Sequence, residues 1–258
     1  MKTAILAGGM GTRLQEFTTL VPKPMVEIGS RPVLWHIMKG YAHHGIREFV
    51  VALGYKGHVI KQFFVDYPCI TSSIRVDLET GAVSIPSPRH ENWIVDLVDT
   101  GEYAQTGARL ARLRDHLGKD TFLLTYGDGV SDVDVTALLA FHHRMGRIAT
   151  LTAVRPPARF GALDIQDGTV GRFTEKPHDG GGWVNGGFFV CEPQIFDYVT
   201  LEDGCILEHE PMERLARDGQ LAAFQHEGFW HSMDTVRDVG MLNGLWNAGT
   251  AAWKTWNP

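Results

Sequence analysis

Cysteine is scarce in this 258-residue sequence: Cys69, Cys191 and Cys205 stand far apart, and none belongs to a Cys-x-x-Cys pair. An odd, scattered set supports neither a disulfide framework nor a zinc site. Positive charge is also short. Against 30 Asp and Glu there are 24 Lys and Arg, a formal net charge of −6. No broad basic field is available for non-specific nucleic-acid binding, so an anionic ligand has to meet a few placed cations. Long apolar runs are missing too, since nothing approaches the ~20 residues that a bilayer span needs. Near the N-terminus Gly8 and Gly9 cut the first apolar run short, which argues against a cleavable leader. Together these absences point to a cytoplasmic protein with no membrane and no nucleic-acid partner. Histidine is plentiful, at twelve residues, but no His-Glu-x-x-His pattern occurs. His209-Glu210 runs into Pro211 without a second histidine, so no metal is assigned to histidine.

What is present reads as an ordinary globular chain, 44% hydrophobic and 21% charged. Its length suits one domain over residues 1–258. Short apolar runs at 3–7, 48–53, 93–98 and 121–126 read as strands. Helical periodicity marks 33–44, 58–64 and the Leu110, Leu113, Leu117 stretch, and Gly45 and Gly118 are helix stops. Such alternation predicts an α/β fold: a Rossmann-like, mostly parallel sheet flanked by helices. Farther along, short strands at 150–154, 162–165, 169–173 and 184–190 predict a β-rich extension carrying one face of a pocket. Helices return at 208–217 and 236–247. The segment 70–91 reads either as a hairpin or as an excursion towards a partner subunit.

Directly behind the first strand stands LAGGMGTRL, residues 6–14. A dinucleotide fingerprint needs a third glycine where Leu14 stands, and a Walker loop needs Gly-Lys-Ser/Thr where Gly11-Thr12-Arg13 stands. Both fail. A glycine loop after a strand can still turn backbone N–H groups towards an anion, with Arg13 supplying a donor fork, or it can be a plain turn. Lys23, stiffened between Pro22 and Pro24, offers a second cation. Asp128 follows the strand that ends at Tyr126-Gly127, where open α/β sheets place ligands, though Gly-Asp-Gly also suits a turn. Asp132 and Asp134 fall at a helix start and suit capping, and by position Asp234 suits an N-cap as well.

The glycine loop followed by Pro-Lys-Pro-Met resembles the signature of the sugar-1-phosphate nucleotidylyltransferases. LVDTGEYAQTGARL, TYGDGVSDVD, EKP, NGGFFV, FWHSMDT and the tail WKTW narrow the likeness to the cytidylyl-transferring branch. That resemblance implies a nucleotide-diphospho-sugar transferase fold and transfer of a cytidylyl group from CTP to glucose 1-phosphate, assisted by Mg²⁺. It implies catalytic roles for Arg13, Lys23 and Asp128, and Mg²⁺ ligation by Asp128 and Asp234. It implies nucleotide contacts at Leu6, Ala7, Gly8, Gly9, Gly11, Thr12, Arg13, Lys23, Gln105, Thr106, Gly107, Arg109, Tyr126 and Gly127, with Thr106 on the pyrimidine edge and Arg109 on a phosphate. Ala104 departs from the serine of the cytidylyl pattern. Sugar-phosphate contacts are implied at Gly161, Glu175, Lys176, Asn185 and Gly186. The same resemblance implies a homo-oligomer, a hexamer, and Trp246, Trp253 and Trp256 suggest that the tail at about 248–258 docks on its own or a neighbouring subunit. Uridylyl or thymidylyl transfer to a related sugar 1-phosphate is the alternative within enzymes, and a non-catalytic nucleotide-sugar binding subunit is the alternative outside them.

Overall fold

The computed structural model describes residues 1–87, 91–156, 162–166, 169–174 and 182–256. Seven strands form its central sheet: β1 Lys2–Leu6, β2 Glu48–Leu53, β3 Ile94–Asp99, β4 Phe122–Tyr126, β5 Ala149–Val154, β6 Val184–Cys191 and β7 Leu221–His226. Their order is β7-β5-β6-β4-β1-β2-β3. β6 runs antiparallel to both its neighbours, while the other ladders are parallel. From β1 the chain builds one way to β2 and β3, then returns to place β4 on the other side of β1. Side-by-side strands whose connections leave in opposite directions open a crevice at their carboxyl ends.

Near-continuous apolar strands such as EFVVAL are what a sheet covered on both faces requires. The two-residue pleat divides them between two cores. Ile5, Phe49, Val51, Leu53, Leu123 and Val190 face one. Ala4, Leu6, Val50, Ala52, Phe122, Leu124 and Phe189 face the other. Each fully buried large side chain among them contributes about 1.5–3 kcal/mol.

Six helices cover the sheet: α1 Val33–His43, α2 Gly57–Val65, α3 Thr106–Arg112, α4 Val135–Met145, α5 Glu210–Arg217 and α6 Val236–Asn247. Asp134 caps α4 by accepting from the Ala137 N–H at 3.0 Å. α6 begins with a capping box between Thr235 and Asp238. Segment 70–87 contains a hairpin, with Arg75–Val76 antiparallel to Val83–Ser84. The pair Ala162–Gln166 and Thr169–Thr174 is antiparallel as well. Trp253 and Trp256 are buried against α1 of their own chain, edge-on to His36 and Trp35 respectively, and Trp246 of α6 stacks on Trp253. No helix among the described residues is long and apolar enough to cross a membrane.

Candidate active site

β1 ends at Leu6 and the glycine loop begins over the crevice. Ala7 still bonds to Ala52 at 3.0 Å, whereas Gly9 has open space where a side chain would stand. Gly11, at φ +63°, starts the single helical turn Thr12–Leu14, and a Cβ there would come within 2.8 Å of Thr18. That turn delivers Arg13 with its side chain 72% exposed. Pro22 precedes another short turn, Lys23–Met25, and Pro24 stiffens it from within, which sends Lys23 inward.

On the neighbouring strand, Gly127 donates to the Leu6 carbonyl at 3.0 Å, so β4 leaves the sheet pressed against β1. Asp128 follows. Beyond it, Gly129–Ser131 pairs antiparallel with Trp230–Ser232, and the Met233 N–H donates to the Asp128 carbonyl at 2.9 Å. This small ladder brings Asp234 alongside Asp128. The Lys23 ammonium donates to both carboxylates, at 2.5 Å to Asp128 Oδ2 and 2.8 Å to Asp234 Oδ1. Arg13 reaches the same Asp234 oxygen at 3.0 Å, and the Ser232 hydroxyl donates to the other at 2.8 Å.

Partial burial works to raise the Asp234 carboxyl pKa, but the Lys23 hydrogen bond and charge, with Ser232 and Arg13, hold it below the ordinary range. Burial likewise opposes charge on Lys23, yet its two carboxylate partners raise its pKa above the usual lysine value. Asp234 is not the cap of α6, because Thr235 and Asp238 do that work. Asp132 accepts from His226 at 2.9 Å, and Asp134 is spent on α4.

These groups open into a cavity of about 440 Å³. Leu6, Ala7, Gly8, Gly9, Gly11, Thr12, Arg13 and Lys23 line one side. Gln105, Thr106, Arg109, Tyr126, Gly127, Asp128 and Asp234 line it as well, with Pro24, Ala104 and Glu208. Two expected nucleotide contacts are otherwise engaged. The Thr106 hydroxyl donates to Glu208 at 2.6 Å and accepts from the Leu207 N–H at 2.9 Å, which leaves no free donor for a base edge. The terminal nitrogens of Arg109 donate to protein oxygens at Gly8, Leu53, Thr100, Gly101 and Glu102, while Arg109 still lines the cavity. Gly107 does not line the cavity. Its missing side chain makes room for Cys205, 2.5 Å from where a Cβ would lie.

Glu208 lines the cavity without having been singled out in the sequence. Periodicity places it inside a helix, whereas α5 starts two residues later, at Glu210. Its carboxylate accepts from Thr106 and from the Tyr126 hydroxyl. Asn185 donates to that same hydroxyl at 3.3 Å, and it lines, with Gly186, Tyr126 and Asp128, a smaller adjoining cavity of about 50 Å³. Tyr126 and Asp128 therefore belong to both spaces. Gly186 is required by strand packing, as a Cβ there would lie 2.7 Å from Val154. Gly161, Glu175 and Lys176 lie outside the described residues.

Among the described residues no group of three or more His, Cys, Asp or Glu side chains could enclose a metal ion. Asp128 and Asp234 do fit one divalent cation of the magnesium type. They are hard oxygen donors from separate strand exits, already converging on a cationic centre, and such a cation completes its shell with water and substrate phosphates.

The family model for nucleotidyl transferases matches residues 2–254. The chain belongs to the nucleotidyl transferase family. A glucose-1-phosphate cytidylyltransferase from Salmonella typhi is 51% identical over 99% of this chain and 100% of its own length. A probable glucose-1-phosphate cytidylyltransferase from Bacillus subtilis is 41% identical over 99% of this chain and all of its own. Among solved structures, HddC from Yersinia pseudotuberculosis superposes with a TM-score of 0.70 at 22% identity, covering 95% of this chain and 99% of that one. That likeness carries the family's fold, a mostly parallel central sheet with flanking helices.

Proposed function

We propose that this nucleotidyl transferase moves a cytidylyl group from CTP to α-D-glucose 1-phosphate, giving CDP-glucose and pyrophosphate. The observation that carries the reaction class is the convergence of Arg13, Lys23, Asp128 and Asp234 at the β1 and β4 exits, beside a glycine loop. Base and sugar rest on the likeness to the Salmonella and Bacillus cytidylyltransferases along the whole chain.

A phosphate oxygen of the sugar phosphate attacks the α-phosphorus of CTP. The new P–O bond forms as the bond to the bridging oxygen breaks, and pyrophosphate leaves with that electron pair. The acceptor is already anionic, so no side-chain nucleophile and no covalent enzyme intermediate are needed. Catalysis is then positioning and neutralisation of charge. The glycine loop cradles the triphosphate with backbone N–H groups. Arg13, exposed at the cavity mouth, swings to the incoming phosphates. Lys23 moves its donors from the carboxylates to the reacting phosphate oxygens, holding both substrates on one charge. Asp128 and Asp234 would hold the divalent cation, which supplies further neutralisation of phosphate charge. Asn185 and Gly186, with Gly161, Glu175 and Lys176, are proposed to hold the sugar phosphate.

Pyrophosphate release measured over a grid of nucleoside triphosphates and sugar 1-phosphates tests the reading. CTP with glucose 1-phosphate is expected to give the highest kcat/KM. Comparable turnover with ATP or GTP would overturn the base assignment, and no release with any pair would favour a binding subunit.

A further inference from the structure

Glu208 lines the larger cavity just ahead of α5, and among the described residues no cation pairs with it. Its partners are two hydroxyls. Thr106 donates to one carboxylate oxygen at 2.6 Å, and Tyr126 donates to the other. An ionised carboxylate can only accept, so both hydroxyl protons point towards it. Burial, and after it the Glu208 charge, push the Tyr126 pKa up and keep the phenol protonated. Each hydroxyl is left as an acceptor on its other side. Thr106 accepts from the Leu207 N–H at 2.9 Å, and Tyr126 accepts from the Asn185 amide at 3.3 Å. Every donor in this chain runs towards Glu208.

The far end of the chain decides what the smaller cavity meets. Asn185 can turn its amide two ways, and two neighbours select the same one. The Gly187 N–H can only donate, and it donates to the amide oxygen at 2.9 Å. The Tyr126 hydroxyl has its proton committed to Glu208, so it requires the amide NH2. A Tyr126 hydroxyl free to donate would compete with Gly187 for that oxygen. Gly187, at φ +79°, also makes room for the ring, since a Cβ there would lie 2.5 Å from Tyr126. The second amide N–H of Asn185 has no acceptor among the described residues, and Asn185 borders the smaller cavity.

We infer that Glu208 is a positioning residue for the sugar phosphate. It acts through Tyr126 on Asn185, keeping one amide N–H of Asn185 for an oxygen of that substrate. Glu208 does not itself line the smaller cavity, so an acceptor on the nucleotide side sets affinity for the other substrate. The inference rests on the proposed placement of the sugar phosphate beside Asn185.

The test uses the full chain with the nucleotide and sugar phosphate that the wild type turns over best, so a wrong base or sugar leaves it intact. Glu208→Ala and Tyr126→Phe are each expected to raise KM for the sugar phosphate about ten-fold. Tyr126→Phe keeps the ring, and so carries the test even where Glu208→Ala loosens the fold. Calorimetry of nucleotide binding to Glu208→Ala should stay within three-fold of the wild type. Glu208→Gln is expected to recover most of the loss, because its amide oxygen still accepts from Tyr126. Adding Glu208→Ala to Asn185→Ala should change nothing further, since both remove one interaction. An unchanged KM in Asn185→Ala alone would fault the placement of the sugar phosphate. A raised KM in Asn185→Ala with a wild-type KM in Tyr126→Phe would overturn the inference alone. So would multiplying effects in the Glu208–Asn185 pair. A ten-fold loss of nucleotide affinity in Glu208→Ala would overturn it too, making Glu208 a direct nucleotide contact.

Discussion

Asp128 and Asp234 face each other across a single ammonium, and each residue in that trio needs the other two. Exchanging either aspartate for asparagine keeps shape but removes charge. Each variant is expected to lose turnover by at least a hundred-fold with the fold intact. The double variant should be little worse than either single, because groups that act as a unit are not additive. Turnover, Mg²⁺ dependence and melting of the three proteins check this, and an active Asp234→Asn enzyme would leave Asp128 to act alone. Arg13 is different, being mostly exposed with one ion pair, and such a pair adds little to stability. Arg13→Ala is therefore expected to lower kcat/KM for CTP by ten-fold or more with almost no change in Tm. A fall in Tm with unchanged kinetics would make the loop a structural turn.

At the scale of elements, the aromatic tail and α1 enclose His36. Burial lowers its pKa to about 4, although the hydrogen bond to the Ile28 carbonyl works the other way. That carbonyl needs a donor, so Nε2 carries the proton, while Nδ1 faces the Trp253 N–H at 3.4 Å. His36 is thus neutral in the folded protein, whereas in the unfolded chain it takes up a proton near pH 6.5. Stability is then expected to fall by up to about 1.4 kcal/mol per pH unit between 6.5 and about 4, and to lose this dependence below that window. Urea unfolding of the wild type and His36→Gln at pH 7 and pH 5 checks it. The variant should be less stable but flatter with pH, and equal slopes would dismiss His36 as the source. Most elements were legible because their cause is local. Continuous apolar runs made β2 and β4, and Gly45 after α1 and Gly118 after the short turn Arg114–Leu117 stopped helices at a positive φ that side chains rarely adopt. Helix α5 begins two residues later than its periodicity suggests, with Pro211 in its first turn, and Glu208 ahead of it accepts from Thr106 and Tyr126.

For the whole molecule, the tryptophans near the C-terminus are absorbed by their own chain. Trp253 and Trp256 are almost fully buried, so they leave no aromatic patch to require a partner. The homo-oligomer, a hexamer, that the family resemblance implies would then be held by other surfaces. Light scattering at micromolar concentration is expected to show an assembly, and a monomer alone would remove it. The sequence by itself determined the sheet-and-helix alternation, the glycine loop and the two cations beside it. Each depends on neighbours along the chain or on residue type, and spacing records both. Only the tertiary structure decided what those residues face. Asp234 reaches Asp128 through a ladder between distant segments, 129–131 and 230–232. Thr106 is claimed by Glu208, and Arg109 by carbonyls on three strand exits. A hydrogen-bonding group written in a sequence names what it can bind, but which partner it meets is set by packing across the fold.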